Sequence, residues 1–66
     1  MKPFKDILRE KRKALGLNQY ELAEEIGTYQ DKICDWETGK CFPSFCYLLE
    51  LADFFKCSVD ELMGRV

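Results

Sequence analysis

Apolar residues in this chain recur every three or four positions, and no segment alternates like a strand. Phe4, Leu8 and Leu15, then Leu22, Ala23 and Ile26, then Ile33 and Trp36, then Phe45, Leu48, Leu51, Ala52 and Phe55 each keep the spacing of one helix face. The pattern predicts an all-α fold. With 66 residues the chain forms one domain at most, spanning 1–66, around a single small core.

Capping chemistry divides the pattern into five helices. In the first, Phe4, Leu8, Lys11, Arg12 and Leu15 share a face, which turns Arg12 inward, and Gly16 supplies the stop. The second begins at Asn18, whose side chain caps it while Glu21, three residues on, completes a capping-box-like pair. Leu22, Ala23 and Ile26 then face the core, and Gly27 ends the helix. In the third, an advance of about 100° per residue from Ile33 brings Trp36, Tyr29, Glu37 and Gln30 to within about 60° of it. Asp31 and Asp35 fall on the opposite face, Lys32 and Cys34 on the flanks, and Gly39 closes the helix. If Thr28 rather than Tyr29 is its cap, Asp31 sits at the third helical position, favourably placed in the helix dipole. Pro43 and Ser44 start a fourth helix, capped by Ser44, with an inner stripe of Phe45, Leu48, Leu51, Ala52 and Phe55. Ser58 and Glu61 form a capping box for a short fifth helix carrying Leu62 and Met63.

Charge is unevenly placed. The net charge is −2, yet Lys2, Lys5, Arg9, Lys11, Arg12 and Lys13 outnumber Asp6 and Glu10 in the first thirteen residues, leaving a basic first helix on an acidic body. Such a split suits a one-sided electrostatic footprint. The cysteines at 34, 41, 46 and 57 include no CxxC pair and the chain has no His, so the expectation is free thiols with no metal site and no disulfide framework. No apolar run approaches the roughly 20 residues of a membrane span, and no apolar stretch follows the basic start as a signal peptide requires, so the expected location is cytoplasmic and off the membrane. Without His, a glycine-rich phosphate loop or an inward cluster of acids or nucleophiles, no catalysis, cofactor or small-molecule substrate is expected.

Two short helices joined at Gly27 and framed by others form a helix-turn-helix pattern. LGLNQYELAEEIG at 15–27, then Ile33, Trp36-Glu37, Gly39-Lys40, Pro43-Ser44, LLELADFF and SVDELMG to Gly64 resemble the Cro and phage-repressor-type family, also called XRE-like, over nearly the whole chain. The resemblance implies a five-helix, lambda-repressor-like DNA-binding domain whose third helix enters the major groove of double-stranded DNA, and a homodimer on the operator. It places the DNA-facing set at Asn18, Gln19, Tyr29, Gln30, Asp31, Lys32, Asp35 and Lys40. Gln19 matches a phosphate contact that braces the first base reader, and Gln30 matches a base reader whose amide suits adenine. Lys32 and Lys40 would reach phosphates. Arg12 and Glu37, both turned inward by periodicity, match an internal ion pair between the first and third helices.

The acids on the third helix run against this reading. Asp31 and Asp35 stand where bases are read; carboxylates can accept from cytosine N4 but are repelled by phosphate. Tyr29 replaces the usual Ser cap, Lys56 a usual helix-ending Gly, and Cys41-Phe42 a loop that is often basic. Tyr47, Phe54 and Phe42 either form an apolar patch for a second subunit or pack on the fifth helix. Two functions therefore remain: a sequence-specific DNA-binding transcriptional regulator, in all expectation a repressor, and a protein-interaction module of adaptor or antitoxin type that presents the acidic third-helix face to a basic partner.

Overall fold

A computed structural model describes residues 2–65. Among them the chain order is α1 (Phe4–Ala14), α2 (Gln19–Ile26), α3 (Gln30–Thr38), α4 (Phe45–Phe55) and α5 (Val59–Leu62), with no strand. Each helix delivers one large side chain to full burial: Leu8, Leu22, Ile33, Leu51 and Leu62 in turn. The core is therefore the meeting point of all five helices, and truncating any one of these residues to Ala should cost roughly 2–5 kcal/mol. Phe4, Ala23, Ile26, Trp36, Leu48 and Ala52 complete it. α2 packs against α3 and α4, while α1 lies across α3 and α5.

Local chemistry sets the helix ends. Asn18 accepts from the Glu21 backbone N–H at 2.7 Å and its own N–H donates to the Glu21 carboxylate at 2.8 Å, a complete capping box. Gly27 takes the left-handed conformation (φ +84°) that lets the chain leave α2 sharply, a conformation open to Gly at no steric cost.

Several sequence expectations change at the helix ends. Leu15 and Phe45, assigned inward, are 55% and 66% exposed. Each lies at or just past a terminus of its helix, where the wheel angle is right but the cover is incomplete. Phe55, at the far end of α4, is only half-buried. Tyr29 and Gln30 are exposed for the same reason, at the start of α3. The N-cap of α3 is Tyr29, not Thr28, which puts Asp31 at the second helical position. Ser44 occupies the N-cap of α4 without a side-chain bond to the helix. Ser58 does accept from the Glu61 N–H at 3.0 Å, but only half of the expected box forms, because the Glu61 carboxylate bonds Lys11 of α1 instead.

The three aromatic residues named as a candidate patch each pair with a different ring. Tyr47 packs on Trp36 of α3 (ring centroids 5.4 Å apart), Phe54 on its neighbour Phe55, and Phe42 on Phe4 of α1 (5.0 Å). Phe42 remains 54% exposed.

Candidate nucleic-acid interface

α2 and α3 meet across the Gly27 turn, where the Gly27 and Thr28 N–H groups both donate to the Ala23 carbonyl at 2.9 Å. α3 leans on the core through Ile33, Trp36 and Glu37 and leaves Gln30, Asp31, Lys32 and Cys34 exposed. No side chain caps its first turn. Its N-terminal N–H groups and positive dipole end are thus open to an external acceptor.

The sequence-derived residues fall into two sets. Tyr29 (78% exposed), Gln30, Asp31, Lys32 and Lys40 project outward, and none of their side chains has a hydrogen-bond or ion-pair partner among the described residues. Asp35 is half-buried at the end of the helix, where its backbone carbonyl accepts from the Lys40 and Cys41 N–H groups at 3.0 and 3.3 Å and so shapes the turn carrying Lys40. Asn18 and Gln19 turn back to the protein. Asn18 is held in its capping box, and the Gln19 amide nitrogen donates to Glu37 Oε1 at 3.2 Å.

Glu37 is the hub beneath this surface. Arg12 donates to it twice, from Nε to Oε2 at 2.6 Å and from Nη2 to Oε1 at 3.0 Å, and uses Nη1 on the Leu17 carbonyl at 2.9 Å. Both residues are buried, and the Arg12 pKa is raised above its ordinary value first by the hydrogen bonds to Glu37. The pair ties α1 to α3, so it fixes how the outer face of α3 is presented. Arg9, one turn earlier on α1, brings its Nε to 3.6 Å from Glu37 Oε1 with half its side chain in solvent. Among the described residues, no group of His, Cys, Asp and Glu is placed to hold a metal ion, and the cysteines are free.

A helix-turn-helix family model matches residues 8–62, from the buried Leu8 of α1 to Leu62 of α5. The chain belongs to the helix-turn-helix family. Within the family it is of the Cro and phage-repressor type, and its five-helix fold is that of the lambda-like repressors. It is 36% identical over 62 residues to the cryptic phage CTXphi transcriptional repressor RstR of Vibrio cholerae, covering 94% of this chain and 55% of that protein. It is 33% identical over 61 residues to the transcriptional activator BcrR of Enterococcus faecalis, covering 92% and 30%. The chain thus spans about half the length of the first relative and under a third of the second. The P22 c2 repressor, solved in complex with a synthetic operator, superposes with a TM-score of 0.92 at 27% identity over the full length of both chains. A transcriptional regulator from Listeria innocua superposes with a TM-score of 0.89 at 30% identity, covering 96% of this chain and 59% of that one.

Within this helix-turn-helix protein, sequence reasoning overlooked Arg9 and the inward bond of Gln19. A signal for the first was available: Arg9 lies three residues before Arg12 and so shares its side of α1. Nothing local marked the second, since Gln19 and Glu37 are 18 residues apart.

Proposed function

We propose that the chain is one helix-turn-helix domain of a sequence-specific, DNA-binding transcriptional regulator: a cytoplasmic, non-catalytic repressor that binds a two-fold-symmetric operator as a homodimer and lays α3 in the major groove. One observation carries this reading. α3 is fixed from behind by the core and the Arg12–Glu37 pair, while the side chains of Gln30, Asp31 and Lys32 on its outer side have no hydrogen-bond or ion-pair partner among the described residues. A rigid helix with unpartnered polar groups is what base readout requires. The complex of the P22 c2 repressor with its operator supports the same docking. Gln30 then reads a base, adenine by amide geometry, Asp31 and Asp35 accept from cytosine N4, Lys32 and Lys40 contact phosphates, and Asn18, Gln19 and Tyr29 flank the backbone. Among the described residues no helix is long and apolar enough to cross a membrane, in keeping with a cytoplasmic regulator.

The two unpaired aspartates favour a second reading, in which the acidic side of α3 meets a basic protein as an adaptor or antitoxin-like module would. Selection from random duplexes with the parent, Gln30→Ala and Asp35→Asn proteins separates the two. The parent is expected to enrich one sequence. Gln30→Ala is expected to lose about 1–3 kcal/mol on it and to relax one base pair, while Asp35→Asn should gain affinity for random duplex. A parent that enriches nothing ends the regulator reading and leaves the protein-binding one.

A further inference from the structure

We infer that the groove between the start of α1 and the turn after α3 is a docking site for an acidic peptide segment of a partner protein, one apolar side chain flanked by carboxylates, and that this segment competes with duplex. The competition rests on the DNA-binding reading, through Lys40; the peptide site does not.

The groove has a volume of about 440 Å³ and opens to solvent. Pro3 and Phe4 at the start of α1 and Phe42 beyond α3 give it an apolar lining, with the Phe4 and Phe42 rings 5.0 Å apart. Phe4 belongs to the core, but more than half of Phe42 is in solvent, and covering an aromatic ring at a concave site is favourable. The charged residues of the lining are Lys5 and Lys40. Both are exposed, and neither side chain has a hydrogen-bond or ion-pair partner among the described residues. Lys5 is laid over the turn that carries Lys40: a Cβ on Gly39 would stand 3.3 Å from Lys5 Cδ and 4.0 Å from its Nζ. Two unpaired ammonium groups with no acid in the lining put a positive potential over an apolar surface.

Such a groove selects an occupant with both properties. A phosphodiester suits the lysines but offers nothing to Pro3 and Phe42, and the bases of a duplex are stacked away from this surface. A small acid is held when about 70–90% of its surface is enclosed, which an open groove does not do. A peptide needs less: one apolar side chain anchors on Phe42 while acids beside it in the chain meet Lys5 and Lys40. Lys40 carries the consequence. An ammonium neutralised by a peptide carboxylate loses its attraction for phosphate, and the added acids repel the DNA backbone. An acidic partner therefore lifts the domain from the duplex.

The test titrates short labelled peptides with the whole chain by fluorescence anisotropy, each peptide carrying tryptophan, phenylalanine, leucine or alanine between glutamates. The best of the first three is expected to bind about tenfold more tightly than the alanine peptide, and Phe42→Ala should erase that preference. Lys5→Ser and Lys40→Ser should each weaken the best peptide about fivefold, with the loss shrinking as salt is added. Lys13→Ser, at an exposed lysine of α1 that does not line the groove, should bind as the parent does. Urea midpoints separate loss of contact from loss of fold, and Phe42→Leu, which keeps an apolar side chain against Phe4, should bind between the parent and Phe42→Ala. The unlabelled best peptide should release a labelled random-sequence duplex at about a tenth of the concentration that the alanine peptide needs. If no peptide binds, if the alanine peptide binds as well as the others, if Phe42→Ala keeps the preference, or if neither lysine variant weakens binding, the peptide site is overturned. Phenylacetate binding as tightly as the best peptide overturns it in favour of a small acid, and self-association abolished by Phe42→Ala in favour of a second copy. A parent that binds peptide but no duplex ends the DNA-binding reading and leaves the site standing; one that binds both at once overturns the competition alone.

Discussion

Lys11 and Arg12 are neighbours in α1, and each forms an ion pair with a distant helix, yet the two seams they make are different in kind. Arg12 reaches Glu37 of α3 in the interior, through two hydrogen bonds, with both partners buried and Gln19 completing the shell. Lys11 reaches Glu61 of α5 at 2.8 Å near the surface, where its partner is half in solvent. A charge buried with one partner removed has nowhere to turn, whereas an exposed one turns to water. The contrast shows how α1 is held: rigidly along α3, which carries the proposed DNA-reading face, and loosely along α5.

The sharpest way to break the contrast is to remove one member of the inner pair. Arg12→Leu or Glu37→Leu should each lose about 3–5 kcal/mol in urea melts, and the double replacement should lose clearly less than the two together, since neither then leaves an unpaired buried charge. Simple addition would show that the two residues are not coupled. Lys11→Met should by comparison cost no more than about 1 kcal/mol, and that loss should shrink as salt is added while the loss at Arg12 does not.

The smallest expected effect is in pH. The Lys11 pKa is raised first by its hydrogen bond to Glu61, so its contribution is fully present below its ordinary value of 10.5 and is lost as pH rises through the higher folded value. Burial raises the Cys57 thiol above its ordinary 9.0, so the unfolded chain ionises there first and stability falls as pH passes that point. Both signs agree. The urea midpoint should decline from about pH 9 upward, and in Cys57→Ser the onset should move towards the Lys11 range. An unchanged onset in that variant would remove Cys57 from the account.

What the sequence made legible follows from how far each signal reaches. Asn18 with Glu21, and the stops at Gly27 and Gly39, are set by contacts a few residues long, and the ends of α2 and α3 could be read from them. Periodicity also turned Arg12 and Glu37 inward, where both are buried. The misreadings share the opposite cause. Leu15 and Phe45 lie on the correct angle of their helices but at the helix ends, where cover is incomplete, which the wheel does not represent. Glu61 left its box for Lys11, 50 residues away. The bond from Gln19 and the approach of Arg9 to Glu37 depend on α1 and α2 converging on α3, and no window of sequence contains all three helices.

Gly64, at the far end of the chain, is buried, and a Cβ there would stand 2.2 Å from the Lys2 carbonyl oxygen. The reason for glycine is this close approach of two backbones as much as its left-handed φ of +75°. Residues 2 and 64 thus touch, and the path of the chain is almost a closed loop. A short linker from residue 65 to residue 2 would close this domain into a ring with little change to the folded path, and the unfolded ring would have fewer conformations to gain on melting. The same proximity makes the order of the helices negotiable: the ring could be reopened in an exposed turn, such as the one between Gly39 and Phe42, to give a permuted chain with the same five helices around the same core.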